Sequence, residues 1–314
     1  MRTIMNRIVA LLATCLLSSS AFGQPTAYPP TFDDARAETY KSIGEVELKV
    51  WIFEPRSHLA SDSRPAIVFF FGGGWKNGNP AQFERHCRYL ASQGMVAMTA
   101  DYRVRSRNGT LADKSLEDAE SAIRWVRNNA KRLGVDPNRL AAGGGSAGGH
   151  LAACLGVVRP LSESGATEST SVETSSVPNA LALFNPALLL APFQDIHLGK
   201  NDKGIDKFDE IATRTGVPPK RISPIHHIRT GLPPTVIFHG EADTTVPFVT
   251  VKRYAELATE AGNRCELASY PDATHGFFNY GRGNEPSEYY LLTLSHMHTF
   301  FQSLGYLENS PALR

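Results

Sequence analysis

The sequence predicts an α/β fold, a mostly parallel central sheet with helices on both faces, and three observations predict it. Short apolar runs such as Ala66–Phe71 and Met95–Ala100 have the pattern of strands covered on both sides. Amphipathic helical stretches alternate with those runs. A glycine-rich turn, Gly144-Gly145-Ser146-Ala147-Gly148, then joins a short apolar strand to a helix of small residues.

Taken in order, Glu45 to Phe53 alternates around Val46, Leu48, Val50 and Ile52, as a half-buried strand does. Ala66–Phe71 ends abruptly in Gly72-Gly73-Gly74-Trp75. A helix is expected from Pro80 to Gln93, closed by Gly94, and a buried strand from Met95 to Ala100. Ser115 reads as the cap of an amphipathic helix, with Glu117 and Asp118 in its first turn. Leu116, Ala119, Ile123, Val126 and Leu133 would be its buried side, and Gly134 its stop. Strands follow at Arg139–Gly143, Leu181–Phe184, Thr235–His239 and Cys265–Tyr270. Helices are expected near Val249–Ala261 and Ser287–Phe301. Two stretches break the rhythm. Residues 162–176 are rich in Ser, Thr and Glu and read as a solvated loop. Residues 198–230 read as a small cap-like insertion over the carboxyl ends of the strands, where open parallel sheets bind ligands.

The first 23 residues stand apart as a secretory signal peptide. Arg2 and Arg7 precede an apolar run, Ile8 to Leu17, and Ala21 and Gly23 are placed for cleavage before Gln24. That run is too short to span a bilayer, and no other stretch is long and apolar enough. The expected location is therefore secreted or periplasmic, with 24–314 forming one catalytic domain. At 314 residues the chain can bury a large core. A net charge of +1 gives no basis for nucleic acid or an anionic membrane as partner. Beyond the signal, Cys87, Cys154 and Cys265 are an odd set, and no required disulfide is expected. No cysteine or histidine pair has metal-ligand spacing, and adjacent His226 and His227 read as loop or cap residues; neither a metal nor a cofactor is implied.

The chemistry gathers at the strand ends. Ser146 sits in a turn whose strained geometry exposes its hydroxyl. Serine is a poor nucleophile at neutral pH and needs a base, which in turn needs an acid to orient it. His275 follows the last strand and is the base candidate. Asp243 follows the strand Thr235–His239 and is the acid candidate, with Glu241 and Asp272 as competitors. Acyl transfer also builds charge on the carbonyl oxygen, so the amides of Gly73, Gly74 and Ala147 are assigned as its donors. Trp75 and Phe278 are read as pocket walls, for substrate binding.

Gly72-Gly73-Gly74-Trp75, Gly144 to His150, Ser223-Pro224 to Pro233-Pro234, the Asp243 turn and His275-Gly276-Phe277 together resemble the α/β-hydrolase fold. The group they resemble is that of hormone-sensitive-lipase-like esterases, especially exported bacterial acetyl and feruloyl esterases. The resemblance spans roughly Ile67 to Phe278 and implies a serine esterase, a carboxylesterase acting on small-molecule or carbohydrate esters. Many relatives carry histidine where Phe71 stands, so here the resemblance implies a glycine loop held by packing. The acyl pocket is expected to be small, favouring acetyl esters. A lipase is disfavoured by the polar loop at 162–176, and a prolyl-oligopeptidase-type peptidase by the lack of a propeller. An arylformamidase is disfavoured by the export signal. A non-catalytic hydrolase-like binding protein is disfavoured because all three triad positions are filled.

Overall fold

A computed structural model describes residues 27–159, 174–281 and 287–308. The signal-peptide reading and most of the polar 162–176 loop lie outside those residues. Eight strands form one sheet: β1 Arg36–Ile43, β2 Val46–Phe53, β3 Arg64–Phe70, β4 Val96–Ala100, β5 Val135–Gly145, β6 Ala180–Phe184, β7 Thr235–Gly240 and β8 Cys265–Tyr270. Their spatial order is β1-β2-β4-β3-β5-β6-β7-β8. β1 and β2 pair antiparallel, as do β2 and β4, and every other pairing is parallel.

Alternate side chains of each strand serve opposite faces, as pleating requires. Val68 and Phe70 join a core under the helices α3 (Ala112–Asn128), α5 (Ala147–Val157) and α7 (Phe248–Glu260). Ile67 and Phe69 join the opposite core, under α1 (Glu84–Ser92) and α8 (Glu288–Ser303). Short helices α2 (Arg105–Asn108) and α4 (Ala130–Leu133) flank α3. The chain leaves β3 for β4 on one side and later enters β5 on the other. This order reversal opens a crevice at the carboxyl ends of β3 and β5.

Three readings need correction. Strand β1 was not anticipated, because Tyr40 is the one buried residue in an otherwise solvated edge, Arg36 to Ile43. Its hairpin turn at Gly44, with φ 57°, was the available cue. The helix assigned to a Ser115 cap begins one turn earlier, at Ala112. Ser115 is buried and donates its hydroxyl to the carbonyl of Arg103. Asp118 is likewise buried, binding Arg103 and Lys41, so it serves tertiary contacts and not the helix dipole. Finally, residues 198–230 are more regular than their charges suggest. They hold α6, Lys207–Thr215, capped by the Asp206 side chain on the Phe208 amide, and two 3-10 turns, Pro219–Ile222 and Pro224–His227. Buried Ile222 and Ile225 anchor this insertion to the core.

The tightest contact positions the site. A Cβ on Gly148 would lie 2.0 Å from the carbonyl oxygen of Phe70 and 2.4 Å from that of Phe71. Helix α5 can touch β3 only because that carbon is missing. Gly148→Ala is therefore expected to cost about 1–3 kcal/mol or more. The measure is a lower urea midpoint at unchanged slope. A midpoint equal to the parent's would show that α5 can retreat from β3 without cost.

Candidate active site

Ser146 follows β5 and precedes α5 with φ 53° and ψ −116°, a conformation that costs a non-glycine residue free energy. Strand β6 and helix α5 hold it there: its amide donates to the carbonyl of Phe184 at 2.8 Å, and its own carbonyl accepts from the His150 amide at 2.9 Å. The half-buried hydroxyl points into the crevice. His275 comes from the loop after β8, and its Nε2 lies 3.0 Å from Ser146 Oγ. Its Nδ1 lies 2.7 Å from Asp243 Oδ2, in the turn after β7.

Asp243 is 5% exposed. Its Oδ1 accepts the amides of Thr245 and Val246 at 2.8 and 2.9 Å. Burial disfavours its charge, but His275 and the Val246 amide outweigh that and hold its carboxyl below the usual carboxylate range. The competing acids are elsewhere. Glu241 is exposed and accepts the Ser269 hydroxyl, and Asp272 is exposed at the surface.

The glycine loop lies against this group. Gly73 has φ 125°, and a Cβ on it would meet the Asn77 carbonyl oxygen at 2.2 Å, so only glycine fits the turn. The Gly73 carbonyl accepts the amides of Lys76 and Asn77. The amides of Gly73, Gly74 and Ala147 find no protein acceptor among the described residues, and all three residues line the crevice beside Ser146. Phe71 stacks on Tyr102 with ring centres 4.0 Å apart, and the Tyr102 hydroxyl donates to the Phe71 carbonyl at 2.6 Å. Arg107 donates to the carbonyl of Gly78 at 2.7 Å. Packing and these two bonds brace the loop.

Five further residues escaped the sequence reading. The Gly72 amide donates to Gln82 Oε1 at 2.6 Å, and Gln82 Nε2 donates to Asn279 Oδ1 at 2.9 Å. Asn279 in turn donates to the Gly276 carbonyl at 2.8 Å, so one chain of bonds ties the glycine loop to the histidine loop. Buried Asn185, at φ 31° after β6, accepts the Gly276 amide. Leu189 and Leu190 supply cavity wall. Nothing in the local pattern marks Gln82 or Asn279, which bond each other across 197 residues of sequence. Asn185, at a strand end among apolar residues, was the detectable one.

The cavity has a volume of about 690 Å³. Trp75 and Phe278 are buried and form walls, and Leu198, Ile211 and Val246 add further apolar surface. Phe277 turns away to pack on Tyr270 and Tyr289. His226 and His227 contact Ser223 and the carbonyls of Pro192 and Lys220. Cys87, Cys154 and Cys265 are free thiols, the first two buried. Among the described residues no helix is long and apolar enough to cross a membrane.

Comparison with known proteins agrees in direction. The family model described as BD-FAE matches residues 52–256. The carboxylesterase NlhH of Mycobacterium tuberculosis is 27% identical over 82% of this chain and 78% of its own length. A probable isoprenylcysteine alpha-carbonyl methylesterase, ICMEL1 of Arabidopsis thaliana, is 28% identical over 71% of this chain, which spans about half (49%) of that relative. The solved structure of Thermogutta terrifontis esterase 2 phosphorylated by paraoxon superposes with a TM-score of 0.80 at 46% identity, covering 91% of this chain and 100% of that one.

Proposed function

This chain belongs to the BD-FAE family and is a carboxylic ester hydrolase of the α/β-hydrolase fold, and from that premise we propose an exported serine esterase for small acyl esters, acetyl groups on carbohydrates among them. The observation that carries the serine mechanism is the pair of contacts at His275, 3.0 Å to Ser146 Oγ and 2.7 Å to Asp243 Oδ2.

In the first step His275 takes the hydroxyl proton as Ser146 Oγ attacks the ester carbonyl. The amides of Gly73, Gly74 and Ala147 bind the oxyanion, and the alcohol leaves with the proton that His275 returns. Water repeats the sequence on the acyl-Ser146 intermediate and releases the acid. Asp243 keeps the His275 proton on Nδ1, leaving Nε2 free to act as base. A chain of comparable sequence is phosphorylated by paraoxon, a reaction that requires an activated nucleophile, and has been solved with propionate and with butyrate bound. Those short acids support a preference for small acyl groups here. Export rests on the character of residues 1–23 alone.

The test is a panel of p-nitrophenyl acyl esters run beside acetylated xylan. Each methylene that fits an apolar pocket contributes on the order of 0.8 kcal/mol. Buried Trp75 and Phe278, which wall the cavity, support a closed space beside Ser146 instead. Acetyl and butyryl esters are expected to exceed octanoyl and longer ones in kcat/KM. A rate that climbs through decanoyl esters would revive the lipase reading.

A further inference from the structure

One wall of the cavity is charged, and the ester chemistry described above does not use it. Arg214, on α6 of the insertion, lines the same cavity as Ser146. Its Nη1 lies 3.6 Å from the point that a Cβ on Gly74 would occupy, so the guanidinium reaches the glycine loop. Glu210 engages its Nη2 from one turn earlier on the helix. Its buried Nε has no acceptor. Lys76, two residues after Gly74, and Arg105 lie within electrostatic reach of Arg214, and Lys203 within reach of Lys76, so three more cations gather near this edge of the cavity. None of those three forms an ion pair among the described residues.

Such an arrangement is unfavourable in the free enzyme. Burial, and then the charge of Arg105, draw Arg214 below its ordinary basicity. Slight desolvation of its largely exposed side chain, and then Arg214, Arg105 and Lys203, do the same to Lys76. Of these four cations only Arg214 is paired, with Glu210, and the cavity beside it is otherwise lined mainly by apolar side chains. An anion entering that space would relieve the repulsion and fill the empty donor positions. A guanidinium suits a carboxylate because its planar fork matches two oxygens.

We propose that this rim, centred on Arg214, recognises a carboxylate carried by the ester substrate, so that the enzyme prefers acidic esters to neutral ones. The proposal deepens the esterase reading and rests on it, since it takes Ser146 as the reacting centre of the same cavity. On the alcohol side, the matching substrate is an acetylated carbohydrate bearing uronate groups. On the acyl side, it is the half-ester of a short dicarboxylic acid.

The experiment compares kcat/KM within two matched pairs by pH-stat titration. Acetoxyacetate against acetoxyacetamide places the charge on the alcohol. Monomethyl succinate against methyl succinamate places it on the acyl group. The purified enzyme is expected to favour the anionic member of at least one pair by about tenfold to hundredfold, the effect of one charge-assisted hydrogen-bonded contact. Which pair responds tells which side the rim reads. Arg214→Gln should collapse that ratio toward one, and Arg214→Lys should retain part of it. Because the ratio is taken within each variant, general damage cancels. Lys76→Gln, at an exposed lysine, should lower the ratio severalfold and keeps the test open if the Arg214 variant does not fold. Ratios at or below one in both pairs for the parent enzyme would overturn the proposal. So would a preference that survives in both Arg214→Gln and Lys76→Gln. Failure to cleave p-nitrophenyl acetate would instead be a failure of the esterase reading itself.

Discussion

Ser146→Ala is expected to lower kcat on p-nitrophenyl acetate by about 10⁴- to 10⁶-fold and to end covalent labelling by paraoxon or a fluorophosphonate. The cavity contains other hydroxyls, and geometry separates them. Thr245 and Thr250 also line it, but the Thr250 hydroxyl is committed to the Pro247 carbonyl at 2.8 Å, and neither is bonded to a histidine. Of these three cavity hydroxyls only that of Ser146 has an imidazole nitrogen, at 3.0 Å, and unpaired amides beside it. A residual rate above the water reaction should persist, since the glycine amides remain when the nucleophile is gone. Intact mass after paraoxon treatment checks the assignment: one adduct in the parent protein and none in the variant. A variant that still gained one adduct and kept its rate would transfer the nucleophile to another residue and undo the proposed mechanism.

Much of this arrangement could be read before any coordinates, and the reason is physical. Buried parallel strands need uninterrupted apolar runs, so β3, β4, β6 and β7 announce themselves. The nucleophile turn needs glycines because α5 approaches β3 to contact distance, and Gly144 and Gly148 record that approach in the sequence. Residues placed directly after strands fall at one edge of the sheet, which is why Ser146, Asp243 and His275 could be grouped without knowing their contacts. Strand β1 hid because an edge strand carries no apolar pattern. Helix α3 was misplaced because Ser115 resembles a cap in sequence and is instead a buried donor to Arg103. The links through Gln82, Asn279 and Asn185 depend on pairings up to 197 residues apart, and no local pattern encodes those. Arg214 was invisible for the same reason: its helix looked like a polar excursion until folding carried it to the glycine loop.

Asp243→Asn is expected to lower kcat by about 10⁴-fold while KM changes little. The hydrogen bonds explain so large an effect from so small a change. Asp243 Oδ1 already accepts two backbone amides, so in the variant the carbonyl oxygen will take that place and the new NH₂ group will face His275. Two donors cannot share one bond. The imidazole must then accept at Nδ1 and carry its proton on Nε2, where it can no longer deprotonate Ser146. The folded protein should otherwise persist, since shape and the turn bonds are kept. The pH dependence has a definite sign. The carboxyl of Asp243 is held below its ordinary value, so its ionised form contributes stability at neutral pH that is lost only as pH falls through that depressed value, below about 4. The variant should lose that contribution, and its urea midpoint should therefore differ most from the parent's at neutral pH and converge in strong acid. Glu241→Gln and Asp272→Asn, both at exposed carboxylates away from His275, should leave kcat within about twofold. If either of these proved the crippling change and Asp243→Asn the mild one, the acid would have to be reassigned.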